Sequence, residues 1–108
     1  MARKYLRISE VVEICGVDEE FVRRLEGERL IRALTRNNRK LYSLDQVDRV
    51  RVARLLIAEM GVNLEGAEVV LHMREQMIAM QRQLKDLMRR VNEHKSTGRR
   101  RERDPFRP

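Results

Sequence analysis

Apolar residues come along this chain in short clusters whose spacing changes from one to the next. Ile8, Val11, Val12 and Ile14 are spaced for one side of a helix, with Ser9 as its expected N-cap and Gly16 as its stop. Asp18 is the next cap. Glu19 and Glu20 suit the first turn of a second helix, where free backbone N–H groups attract negative charge. Phe21, Val22, Leu25 and Ile31 give that helix its apolar side. Two short helices joined through Cys15-Gly16-Val17 predict a helix-turn-helix. From Arg32 to Tyr42 the helical periodicity disappears. Asn37-Asn38 lies in the middle, and Asn tolerates positive φ, so two short strands around that turn, a basic wing, are predicted. Ser43 then caps a third helix, Leu44 to about Met60, with Val47, Val50, Val52, Leu55, Leu56 and Ile57 as apolar positions and Gly61 as its stop.

Asn63 opens the last predicted helix, which runs from Leu64 to about His94. Its apolar positions are more regular. Val70, Met73, Met77, Met80, Leu84, Leu87 and Val91 alternate steps of three and four residues, the seam of a coiled coil over about three heptads. At 1.5 Å per residue the seam is roughly 32 Å long. A domain made of residues 1–61 cannot bury a stripe so long and narrow, and a second copy of the same helix can, so the seam predicts a homodimer. The competing arrangement folds the helix back onto its own domain through Leu71 and Ile78. The flanking residues Arg74, Gln76, Gln81, Gln83, Met88 and Arg90 lack paired opposite charges and leave parallel and antiparallel pairing both open. Met60, Met73, Met77, Met80 and Met88 read first as packing residues and second as an adaptable docking surface.

The expected architecture is mainly α: a winged helix-turn-helix domain at 1–61, a long C-terminal dimerisation helix at 62–94 and a basic, disordered tail at 95–108. Charge sharpens this division. Residues 1–61 hold 13 basic and 10 acidic side chains, residues 62–94 five of each, and residues 95–108 six and two. Arg29, Arg32, Arg36, Arg39 and Lys40 fall in a stretch, Arg29 to Leu44, that contains no acid. A concentrated basic segment gains free energy on a polyanion by releasing counterions; the alternative is a solvated loop. No apolar run reaches the roughly 18 residues of a membrane span, and the first residues lack a signal-peptide pattern, so the expectation is a soluble cytoplasmic chain with no membrane partner.

Catalytic chemistry is absent from the pattern, and no cofactor or metal is expected. His72 and His94 stand too far apart to share one helical face as ligands. The single cysteine, Cys15, sits between Ile14 and Val17 and reads as a small buried apolar residue rather than a redox sensor.

The order of helix-turn-helix, wing, helix and long dimerising helix resembles the MerR family of bacterial transcription regulators over roughly residues 5–91. Ile8-Ser-Glu-Val11 resembles the opening of that family's first helix, and Gly16-Val17 its turn. Val22-Arg23, Glu26 and Leu30-Ile31 match the second helix, and Lys40-Leu-Tyr-Ser43 with Asp45 and Val47 the wing exit. Gly61-Val-Asn-Leu-Glu-Gly66 is similar to the linker of the heat-shock repressor branch. The resemblance implies a homodimer straddling double-stranded DNA, its second helix in the major groove and its wing on backbone or minor groove. Arg23 then stands for the recognition-helix Arg, Lys40 for the wing's basic residue and Tyr42 for the wing-exit Tyr. In that mechanism Arg23 and Arg24 reach the groove while Arg36, Arg39 and Lys40 hold phosphates, which set register but carry no sequence information. A two-fold dimer asks for an inverted-repeat operator.

The chain departs from the family pattern as well. Arg24 and Leu25 replace aromatics, Arg29 replaces the Gly that usually ends the second helix, and Asp18, Glu19 and Glu20 bring carboxylates to that helix's start. Gly16-Val-Asp-Glu-Glu20, Gly27, Ile31 and Gly66-Ala-Glu-Val-Val-Leu71 resemble a second, related family equally well. These are the chaperone modulators, which share the fold and bind J-domain cochaperones instead of DNA. On that alternative Asp18, Glu19, Glu20, Glu26 and Glu28 would face a basic helix of the cochaperone.

Overall fold

A computed structural model of the chain describes residues 4–98. It holds three strands, β1 (Tyr5–Arg7), β2 (Leu34–Arg36) and β3 (Arg39–Ser43), and four helices, α1 (Ile8–Cys15), α2 (Glu19–Gly27), α3 (Leu44–Arg54) and α4 (Leu64–Gly98). A π-helical turn, Leu55–Glu59, follows α3.

The two strands expected around Asn37-Asn38 are present as a hairpin, in a sheet with one strand more than expected. Asn37 and Asn38 take φ values of 54° and 61°, the left-handed geometry of a tight hairpin turn, and β2 pairs antiparallel with β3. The unforeseen strand is β1, which pairs with the other edge of β3, so β3 lies in the middle of the sheet. That pairing keeps the chain extended through Arg7 and moves the start of α1. Arg7 occupies the cap position and its N–H donates to Glu10 Oε1 at 2.9 Å, while Ser9, the expected cap, already lies inside the helix. Gly16 closes α1 in the left-handed conformation (φ 68°), as its place after the last apolar residue suggested.

The third helix is shorter than Leu44 to Met60. Beyond Arg54 the ladder widens, with the Met60 N–H reaching back to the Leu55 carbonyl at 3.1 Å, and an Arg54–Glu59 ion pair at 2.8 Å spans the wide turn. At α4, the Asn63 side chain caps the first turn by accepting the Gly66 N–H at 2.8 Å. The helix continues to Gly98, past the expected end near His94. The rest of the expected tail, residues 99–108, lies outside the described residues.

Two compact units divide the chain after His72. The first contains the core: Leu6, Val11, Cys15, Val22, Leu25, Leu30, Ile31, Tyr42, Val47, Val50, Ala53, Leu56, Ala67 and Leu71 are all buried. Ala67 and Leu71 come from the opening turns of α4, so this lobe takes in the beginning of the long helix. Ile14, expected on the apolar side of α1, is instead 64% exposed, because a two-turn helix presents only Val11 and Cys15 fully to the core. The second unit is the remaining length of α4.

Candidate nucleic-acid interface

The site is built from α2 and the wing. Asp18 caps α2 by accepting the Phe21 N–H at 2.8 Å. Val22 and Leu25 lie in the core, which leaves Arg23 and Arg24 on the exposed side. Arg29 ends the helix with φ 65°, and the Leu30 N–H folds back onto the Leu25 carbonyl at 2.9 Å. Left-handed backbone suits Gly, and here an arginine adopts it. Helix α3 steadies the chain on its way to the wing: Gln46 Oε1 accepts the Arg32 N–H at 2.8 Å, and Arg49 Nε donates to the Leu30 carbonyl at 2.7 Å.

Glu26 ties α2 to β3. Its Oε1 accepts the Tyr42 hydroxyl at 2.9 Å and its Oε2 accepts Lys40 Nζ at 3.0 Å. Tyr42 is fully buried. Burial, then the hydrogen bond to Glu26 and that carboxylate's charge, push the phenol well above the ordinary tyrosine range, so it stays a donor. Burial likewise raises the thiol of Cys15, whose Sγ lies 3.6 Å from the Val47 carbonyl.

The six residues expected to contact DNA are therefore placed differently. Arg23 is exposed and pairs with Glu19 one turn earlier at 2.5 Å. Arg24, Arg36 and Arg39 are exposed and form no ion pair among the described residues. Lys40 is exposed but held by Glu26, and Tyr42 is buried with its hydroxyl on the same carboxylate. Arg23, Arg39, Lys40 and Tyr42 come together with Arg7, Ile8 and Ser9 around one open cleft of about 510 Å³. Arg7 was missed by sequence reasoning. Its neighbourhood depends on β1 pairing with β3, a contact between residues distant along the chain, and the only local signal was its positive charge.

Three of the carboxylates on and before α2 are engaged within the lobe: Asp18 in the cap, Glu19 with Arg23, and Glu26, near the helix's end, with Lys40 and Tyr42. An exposed pair such as Glu19–Arg23 is weak and gives way readily to a phosphate. The arrangement can thus present a row of guanidinium and ammonium groups to a polyanion.

The sequence model of MerR HTH family regulatory proteins matches residues 6–89. The chain belongs to the MerR HTH family. The match takes in α2, the wing and every residue of the cleft. Regulators of this family bind double-stranded DNA. No curated protein matches the chain. Among the described residues no helix is long and apolar enough to cross a membrane, and no group of three or more His, Cys, Asp or Glu is arranged to hold a metal ion.

The seam residues are at the surface of the single chain. Met73, Met77, Met80, Leu84, Leu87 and Val91, all in the second unit, are each at least half exposed; Val70, in the first, is 38% exposed.

Proposed function

We propose that this MerR-family protein is a sequence-specific transcription regulator that works as a homodimer on an inverted-repeat operator. The observation that carries the reading is the convergence of Arg23 from α2 with Arg39 and Lys40 from the wing on one open cleft. Arg23 and Arg24 read the groove, while Arg36, Arg39 and Lys40 hold the backbone; Tyr42 and Glu26 set the wing's angle to α2. The exposed seam from Val70 to Val91 pairs with the same seam of a second copy. The likeness of Gly61-Val-Asn-Leu-Glu-Gly66 to the heat-shock repressor linker supports chaperone and heat-shock genes as the targets.

One observation favours the chaperone-modulator alternative. From Asp18 to Glu28 the chain carries five carboxylates against Arg23 and Arg24, and Glu20 and Glu28 face solvent without an ion pair among the described residues. An acidic second helix suits the basic helix of a J-domain better than a phosphate backbone.

Electrophoretic mobility shift against genomic fragments, run beside a pull-down with a J-domain cochaperone, separates the two. The regulator reading expects retention that falls steeply with salt and is lost when Arg36, Arg39 and Lys40 are all changed to Ala. A parent protein with no salt-sensitive DNA binding that captures the J-domain overturns it.

A further inference from the structure

Side chains alternate across a strand, so the observed register sorts the wing residues onto two faces. Leu6 lies opposite Tyr42 and both are buried, which marks the inner face; Lys40, two residues before Tyr42, reaches Glu26 from that side. The outer face carries Arg7 and Leu34, each opposite Leu41, and Arg36 directly opposite Arg39. Like charges directly opposite in an antiparallel pair are destabilising. Neither Arg36 nor Arg39 meets a carboxylate among the described residues. Arg7 meets one at the limit of an ion pair, its Nε lying 3.9 Å from Glu10 Oε1. Arg7, Arg36, Asn37, Arg39 and Leu41 line a single open depression. Three planar guanidinium groups thus crowd one shallow surface and repel one another, an arrangement that an anion with several acceptor oxygens relieves.

We infer that this outer depression is a phosphate site, in which Arg7 joins Arg36 and Arg39 on a stretch of duplex phosphodiester backbone. The inference rests on the DNA-binding reading and adds to it a contact from β1, an element outside both the recognition helix and the wing hairpin. Arg7 and Arg39 border both the cleft and the depression, so they form the ridge between a groove-facing and a backbone-facing surface.

Fluorescence anisotropy with a labelled duplex, titrated with salt, tests it on the full chain. Replacing Arg7→Gln should reduce the slope of log affinity against log salt by about 0.9, the share of one phosphate contact. Arg36→Gln should do the same, and Arg7→Lys should restore the parent slope because it restores the charge. The side chain of Arg7 is 55% exposed and its cap contact to Glu10 runs through its backbone N–H, so the thermal melt should not move. If Arg7→Gln leaves the slope unchanged while Arg39→Gln lowers it, or if Arg7→Lys fails to restore it, the site is wrong and DNA binding itself stands. A parent that binds no duplex in a salt-dependent way overturns both readings.

Discussion

From Leu6 to Leu71 the chain closes a core around residues such as Val11, Val22, Leu25, Tyr42 and Val50, none of which reaches solvent. From Met73 to Val91 the seam residues Met73, Met77, Met80, Leu84, Leu87 and Val91 are just as regular, yet each is at least half exposed. The two regions differ in geometry rather than in composition. In the lobe, short helices and a small sheet meet from several directions, so one apolar stripe finds another within the same chain. Along the second unit a single helix presents a stripe with a coiled-coil period, which on the proposed dimer an equally long partner would match. Lobe stability and assembly should therefore be separable by mutation, even though α4 takes part in both.

The most severe test of that separation is the double change Met77→Asp and Leu84→Asp. In a paired seam it places carboxylates from both copies in an apolar interface, where an unpaired buried charge costs several kcal/mol. Sedimentation should then report a dimer for the parent and a monomer for the variant. The amide protection of Val22, Leu25 and Val50 should persist, since neither substituted side chain belongs to the lobe core. A variant whose mass stays that of the parent would refute the seam, and loss of lobe protection would refute the separation.

How much of this was legible in the sequence follows the same divide between local and distant contacts. Asp18, Ser43 and Asn63 were read as caps because capping is local, and all three side chains accept an N–H of the following turn. Asn37-Asn38 announced its hairpin for the same reason. Strand β1 was not legible: three residues with one buried side chain make no pattern, and its partners lie at Leu41, Tyr42 and Ser43. Missing β1 led directly to the wrong cap at Ser9 and to the omission of Arg7 from the site. Tyr42 came into the site only through the family resemblance, as the wing-exit Tyr, whereas the structure buries it opposite Leu6 with its hydroxyl donating to Glu26. The π-helical turn left no sequence mark.

Within the lobe the comparison can be sharpened at Tyr42, the polar tie between α2 and β3. Tyr42→Phe removes a hydrogen bond to a carboxylate, and stability at neutral pH should fall by about 1.5–3 kcal/mol, seen as a lower urea midpoint. The alkaline limb should change too. An unfolded tyrosine ionises near pH 10, whereas the folded phenol is held well above that, so its contribution is complete below about pH 9 and declines as pH rises further. Cys15, also raised by burial, adds a decline of the same sign that begins lower. The Phe variant should keep the Cys15 decline and lose the tyrosine part, so the two midpoints should draw together toward high pH. Parallel curves would show that Tyr42 does not ionise on unfolding as its burial requires.

The smallest expected effect lies at Arg29, and it works without adding or removing any core contact. Arg29 holds a φ of 65° so that the Leu30 N–H can close onto the Leu25 carbonyl. For an L residue with a side chain the left-handed region costs roughly 1–2 kcal/mol, and glycine escapes that cost while adding backbone freedom to the unfolded chain. Arg29→Gly should therefore stabilise the lobe, by about 0.5 kcal/mol after the entropy is set against the strain, and raise its thermal midpoint by a few degrees. It also removes one of the positive charges that precede the wing, so DNA affinity should not rise with stability. If the melt moves upward while the monomer–dimer constant stays where it was, the lobe is shown to gain stability independently of the seam. If the midpoint falls, the Arg29 side chain is held by the fold in a way that its exposed position does not suggest, and the strain argument fails.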